Sequence, residues 1–189
     1  MKRHSVERDV KEFCGWDRLS EIVEKIGELE TPYPSKMLQA LVATLFETGG
    51  RVSEVLKLRR ENFDLGSDSS LAIVKAMPVL KRKPETSTDR TIPIKRSDPL
   101  WPYIEDWLED KKPDDILFDI SRSKVWGLLK EIDEELYPHW FRAQRASQLA
   151  FEYGWDASRL SEFFAWKHFP TALKYARRGY KGLAEEMKK

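Results

Sequence analysis

From Asp17 to Leu29 the apolar residues Leu19, Ile22, Val23, Ile26 and Leu29 recur every three or four positions. That spacing predicts an amphipathic helix, with Asp17 placed to cap its first turn. Thr31-Pro32-Tyr33-Pro34 interrupts the pattern. Ser35 to Thr48 follows with Met37, Leu38, Leu41, Val42, Leu45 and Phe46 in a strongly apolar stripe, which predicts a core helix ending at Gly49-Gly50. Beyond the glycines, Val52, Val55, Leu56 and Leu58 keep helical spacing, so Arg51 stands at the start of another buried helix. After Gly66 the residues become β-prone. LAIVKAMPVL, the polar stretch KRKPETSTD and RTIPIK predict a two-stranded antiparallel hairpin with a long basic tip.

Asp98 to Lys111 and Ser121 to Leu136 return to helical spacing. Trp101, Ile104, Trp107 and Leu108 on one, and Val125, Trp126, Leu128, Leu129 and Ile132 on the other, are assigned to the core, with Ile116-Leu117-Phe118 as a buried connector. His139 to Tyr153 predicts a helix stopped by Gly154. Ala157 to Trp166 predicts a second, and the Phe169-Pro170 pair breaks it before a third short helix that carries Tyr175. Tyr180 to Lys189 reads as a weakly anchored tail helix. The expected fold is mostly α with a small antiparallel β-sheet (α+β), divided into a short N-terminal helical extension, 1–34, and one domain, 35–189.

Composition narrows the class. The 189 residues, 41% hydrophobic, suffice for one domain with a substantial core. The lone Cys14 excludes an intramolecular disulfide framework and a cysteine-rich zinc site, and fits a reducing compartment. No apolar run has the length of a membrane span, and MKRHSVERDVKEF lacks the apolar centre of a signal peptide. A cytoplasmic protein without a membrane partner is expected.

The net charge of +1 hides a division: residues 1–34, 35–97, 98–138 and 139–189 carry −2, +5, −7 and +5. Two basic segments flanking an acidic one suit a protein that turns one face to a polyanion. The basic segments hold the candidate chemistry. Arg51, next to two glycines that permit close backbone approach, is placed to meet a phosphate. His139 and Arg142, three apart, project from one side of their helix. Trp166 and Tyr175 follow, nine residues apart.

These stretches resemble the active-site boxes of the tyrosine recombinases, the phage integrase family. TGGRVSEVLKLRRENFD is similar to the family's first box, Thr-Gly-x-Arg-x-Ser-Glu, and His139-x-x-Arg142, Trp166 and Tyr175 follow its second, His-x-x-Arg, Gly-(His or Trp), then Tyr nine residues on. Two departures stand out: Ala165 where the family usually has glycine, and one extra residue between Arg142 and Gly154. The resemblance implies that Tyr175 attacks a DNA phosphodiester to form a 3′-phosphotyrosine, without metal or cofactor. Arg51 and Arg142 would hold the nonbridging oxygens, with Glu54 orienting Arg51. His139 would handle the tyrosine proton or a phosphate oxygen, and Trp166 would add an indole donor or pack the pocket. A hairpin lysine would protonate the leaving 5′ oxygen: Lys81 by preference, with Lys83 close behind, since Lys75 sits mid-strand. Arg145 is expected to do little for the chemistry.

The implied function is site-specific recombination or integration on double-stranded DNA, by a monomer that assembles into a tetramer on its substrate. Type IB topoisomerase-like relaxation and a catalytically silent DNA-binding module are the alternatives. Family members commonly carry a separate DNA-binding domain ahead of the catalytic one. Here only about 34 residues precede the core helix, so an excised fragment or a minimal enzyme, with weak and salt-sensitive binding, is expected.

Overall fold

The computed structural model describes residues 12–66, 68–77 and 89–176. Helix α1, Trp16–Glu28, starts from Gly15 at φ 87°, so Asp17 lies inside the first turn instead of capping it. Its Leu19, Ile22, Val23 and Ile26 are buried, each contributing roughly 1.5–3 kcal/mol, and they pack against α2, Ser35–Thr48. From Met37 onward α2 is buried at almost every position, Glu47 and Thr48 included, because other elements surround it. Besides α1 these include α3 (Val52–Val55), α4 (Trp101–Leu108) and α6 (Pro138–Phe151).

Helix α3 is one turn, shorter than the apolar spacing through Leu58 predicts. The backbone has found other partners: Leu117 N–H donates to Leu58 O at 3.0 Å, Arg60 N–H to Asp115 O at 3.1 Å and Glu61 N–H to Pro113 O at 2.8 Å. The chain therefore leaves the helix to pair with residues 113–117.

The sheet has three antiparallel strands where the sequence predicts two: β1 (Phe63–Asp64), β2 (Leu71–Met77) and β3 (Arg90–Lys95), in that order. Strand β1 is too short to show a period. In β3 the alternation is strict, with Arg90, Ile92 and Ile94 buried and Thr91, Pro93 and Lys95 outward. Ala72 pairs with Ile94 and Val74 with Ile92, then the register shifts before Met77 meets Arg90. Ala76, in that bulge, has φ 52°. The expected hairpin tip, with Lys81 and Lys83, lies outside the described residues.

Helix α5, Arg122–Ile132, is capped by the Ser121 hydroxyl, which accepts from Lys124 N–H at 3.3 Å. Two expected core residues are surface residues instead. Trp126, 49% exposed, lies off the Val125–Leu128–Leu129 stripe, its ring tilted against that of Tyr137 at 5.9 Å; Ile116 is 55% exposed while Leu117 and Phe118 are buried. The chain ends in α6, α7 (Ala157–Phe164) and α8 (Phe169–Ala176). Phe169-Pro170 opens α8, as proline's fixed φ and missing N–H allow in a first turn. Leu149, Leu160, Phe164 and Ala172 join these helices in a smaller core.

Candidate active site

The site begins where α2 stops. Gly49 takes the left-handed conformation at φ 55°, and a Cβ there would lie 2.3 Å from Phe164 Cε1. At Gly50 a Cβ would meet Met77 Cε at 2.1 Å. The glycine pair thus lets α7 and the sheet close on the end of α2. Arg51 follows in extended conformation at the start of α3. Its N–H donates to Glu54 Oε2 at 2.9 Å and its Nη1 to Oε1 at 2.7 Å, so a fully buried carboxylate grips backbone and guanidinium together. The Arg51 side chain remains about one quarter exposed.

Arg142, on the inner face of α6, is 1% exposed. Its Nη1 donates to Gly49 O and its Nη2 to Phe164 O at 2.7 Å, while Nε has no hydrogen-bond partner among the described residues. The guanidinium lies 4.9 Å from the Phe164 ring and 5.6 Å from that of Trp166. Burial pushes its pKa down to about 9, with Arg90 and Arg51 lowering it further and Glu54 and Tyr175 opposing.

Arg90 is the member that the sequence reading omits. Buried at the start of β3, it donates from Nη1 to Phe163 O at 2.6 Å and lies 3.5 Å from Glu54 Oε2 through Nη2. Desolvation lowers its pKa to about 10, and Glu54 holds it up. The two-residue period of RTIPIK, which puts position 90 on the side of Ile92 and Ile94, is the signal that finds it. Three guanidiniums therefore influence one another around a single carboxylate, an excess of positive charge that favours an anion.

Trp166 stacks on Tyr175 at 5.3 Å and 17° and on Phe164 at 4.6 Å. The turn that brings Trp166 round is made by Ala165 at φ 50°, ψ 45°, whose N–H caps α7. The glycine expected there would take this conformation without strain. An alanine bears roughly 1–2 kcal/mol. Burial pushes the Tyr175 phenol up, Arg142 pulls it down and Tyr137 adds to the rise. Tyr175 is thus held protonated while Arg142 acts on it electrostatically.

The structure brings Arg51, Glu54, Arg142, Trp166 and Tyr175 into one neighbourhood. His139 lies one turn before Arg142, in the opening turn of α6, and is exposed where Arg142 is buried. Lys75 is exposed on β2 and bonded to Asp64 Oδ2 at 2.5 Å. Lys81 and Lys83 lie outside the described residues. Among the described residues no three metal-ligating side chains gather, and no helix is long and apolar enough to cross a membrane.

Arg145 is buried, not peripheral. From α6 its Nη2 lies 3.1 Å from Glu47 Oε2 on α2 and its Nη1 3.6 Å from Asp98 Oδ2; Nη1 also donates to Gln148 Oε1 at 2.7 Å. Two carboxylates share one guanidinium away from water. Burial pushes Glu47 up to about 8, Arg145 opposing and Asp98 adding to the rise.

A family model described as the phage integrase family matches residues 16–181. No curated protein matches the chain. Among solved structures, the XerH site-specific recombinase bound to difH substrate in a pre-cleavage complex aligns with a TM-score of 0.68 at 16% identity, over 96% of this chain and 55% of that one. The Tn1549 transposon integrase in complex with circular intermediate DNA gives 0.63 at 16% identity, over 90% and 62%. The catalytic domain of bacteriophage HP1 integrase gives 0.59 at 18% identity, over 94% of each chain. At such identities the likeness is one of fold, and this chain spans little more than half the length of the XerH recombinase.

Proposed function

The chain belongs to the phage integrase family, and from that premise we propose that it breaks and rejoins DNA through Tyr175, as a site-specific recombinase or integrase. The observation that carries the reading is the excess of buried guanidinium charge gathered at a stacked phenol. In this reading the scissile phosphate lies against Arg51 and Arg142, with Arg142 Nε, which has no partner among the described residues, as one donor. Tyr175 Oη attacks phosphorus, the bond from phosphorus to the 5′ oxygen breaks, and that oxygen leaves with the electron pair. A tyrosine with a pKa near or above 10 is a poor nucleophile at neutral pH. His139 accepts the phenolic proton, while the arginines stabilise the added charge of the pentacoordinate transition state. Lys81 or Lys83 protonates the departing oxygen. A 3′-phosphotyrosine retains the bond energy, so another DNA end reverses the step without a nucleotide cofactor.

Double-stranded DNA as substrate is supported by the family and by neighbours solved with DNA, among them the XerH recombinase and the Tn1549 integrase. Tetrameric assembly on DNA belongs to the same proposal. Supercoiled plasmids with and without a selected site provide the test. Exchange confined to site-bearing molecules is expected; relaxation of every plasmid would indicate topoisomerase-like action, and no breakage at all would refute the reading.

A further inference from the structure

Arg90 has a place in the site that the reaction proposed above leaves unused. Its guanidinium spans two pieces of the site that are far apart in sequence. One end lies 3.5 Å from Glu54 Oε2, on the same carboxylate that holds the Arg51 backbone and Nη1. The other donates to the Phe163 carbonyl at 2.6 Å. The next carbonyl, that of Phe164, accepts from Arg142. Two arginines thus bind consecutive carbonyls at the end of α7, immediately before the left-handed Ala165 that turns the chain to Trp166. Arg90 also lies within 3.5 Å of Met77 Sδ, across the sheet from its own strand. A charge this well buried is costly unless it is paired.

We propose that Arg90 is a positioning residue: by bridging Glu54 to the Phe163 carbonyl it sets the direction of the Arg51 guanidinium relative to the turn that carries Trp166. The inference rests on Arg51 meeting the scissile phosphate, as in the reading above. Without Arg90, Glu54 loses its second cation and rotates with Arg51, and the end of α7 loses one of two anchors. Lysine in its place keeps a charge, but a single ammonium lacks the planar fork that reaches both partners.

The test is a kinetic cycle on the full chain. Formation of the covalent DNA adduct is timed in single turnovers for the native protein, Arg90→Lys, Arg51→Ala and the double variant, alongside DNA affinity and thermal melting. A residue acting through Arg51 gives non-additive losses, so Arg90→Lys should slow adduct formation about tenfold or more in the native background and less than about threefold once Arg51 is gone. DNA affinity should change little. Equal losses in both backgrounds, or a native rate for Arg90→Lys, would overturn the proposal. Should Arg90→Lys fail to fold, Arg90→Gln, which keeps a donor for the Phe163 carbonyl, carries the same comparison. Failure of both to fold would leave Arg90 a structural residue and reject the positioning role. Native protein that forms no adduct would instead refute the reaction itself.

Discussion

At the residue scale, the arrangement is a contest between burial and charge. Arg142 is desolvated and crowded by two other arginines, so negative charge brought to it is stabilised. If Arg51 and Arg142 act on the transition state, Arg51→Ala and Arg142→Ala should each slow adduct formation by about 2.7–4 kcal/mol, the range for losing one oxyanion donor. DNA affinity, measured by fluorescence anisotropy, should fall far less; parallel losses would reduce them to phosphate anchors. Ala165 supplies a prediction of opposite sign. Relief of the left-handed strain exceeds the entropic cost of glycine, so Ala165→Gly should raise the melting temperature, by up to about 1 kcal/mol of stability. The neighbourhood of Arg51, Glu54, Arg142, Trp166 and Tyr175 is legible in sequence because each follows a motif of fixed local spacing. Arg90 is legible only after its strand's inward face is known, and Arg145 not at all, since its burial depends on Glu47 and Asp98 arriving from elsewhere in the chain.

At the element scale, α2 and α6 are fastened twice, by Arg142 to Gly49 O and by Arg145 to Glu47. Gly49→Ala would drive a methyl into the Phe164 ring and strain φ as well. It should lower stability by roughly 1–3 kcal/mol from overpacking alone, seen in thermal melts, and displace the carbonyl that Arg142 holds. Glu47 gives the fastening a pH dependence. Its folded pKa, about 8, lies above the ordinary 4.5. Between those values the folded state holds the proton more tightly than the unfolded chain does, so this group's stabilising contribution is present below about 4.5 and is lost as pH rises toward about 8. Glu47→Gln should therefore flatten the decline in melting temperature across that window; an unchanged slope would mean that Arg145 keeps Glu47 ionised throughout. Helices with long periodic stripes, such as Ser35–Thr48, are read from sequence to the residue. α3 and β1 are not, because their limits are set by backbone pairing with residues 113–117 and with β2, which no local pattern reveals.

At the scale of the whole molecule, the basic segments 35–97 and 139–189 supply Arg51, Arg90 and Arg142, while the acidic segment 98–138 supplies α4 and α5. A modest number of phosphate contacts on one basic face should give weak binding that falls steeply with salt. Titrating labelled duplex at several salt concentrations checks this, and tight binding with a shallow slope would point to a different mode of contact. The fold class was readable from the alternation of helical and two-residue periods, but the joining of the two cores through Arg142 and Phe164 required the assembled molecule. The central claim, that Tyr175 becomes covalently joined to DNA, is open to one direct measurement. The native protein is incubated with duplexes randomised around a nick, adducts stable to denaturant are recovered, and the DNA-linked peptide is identified by mass spectrometry. The account predicts a phosphodiester on Tyr175 and no adduct from Tyr175→Phe; linkage to Tyr180, or adduct that persists in Tyr175→Phe, would contradict it.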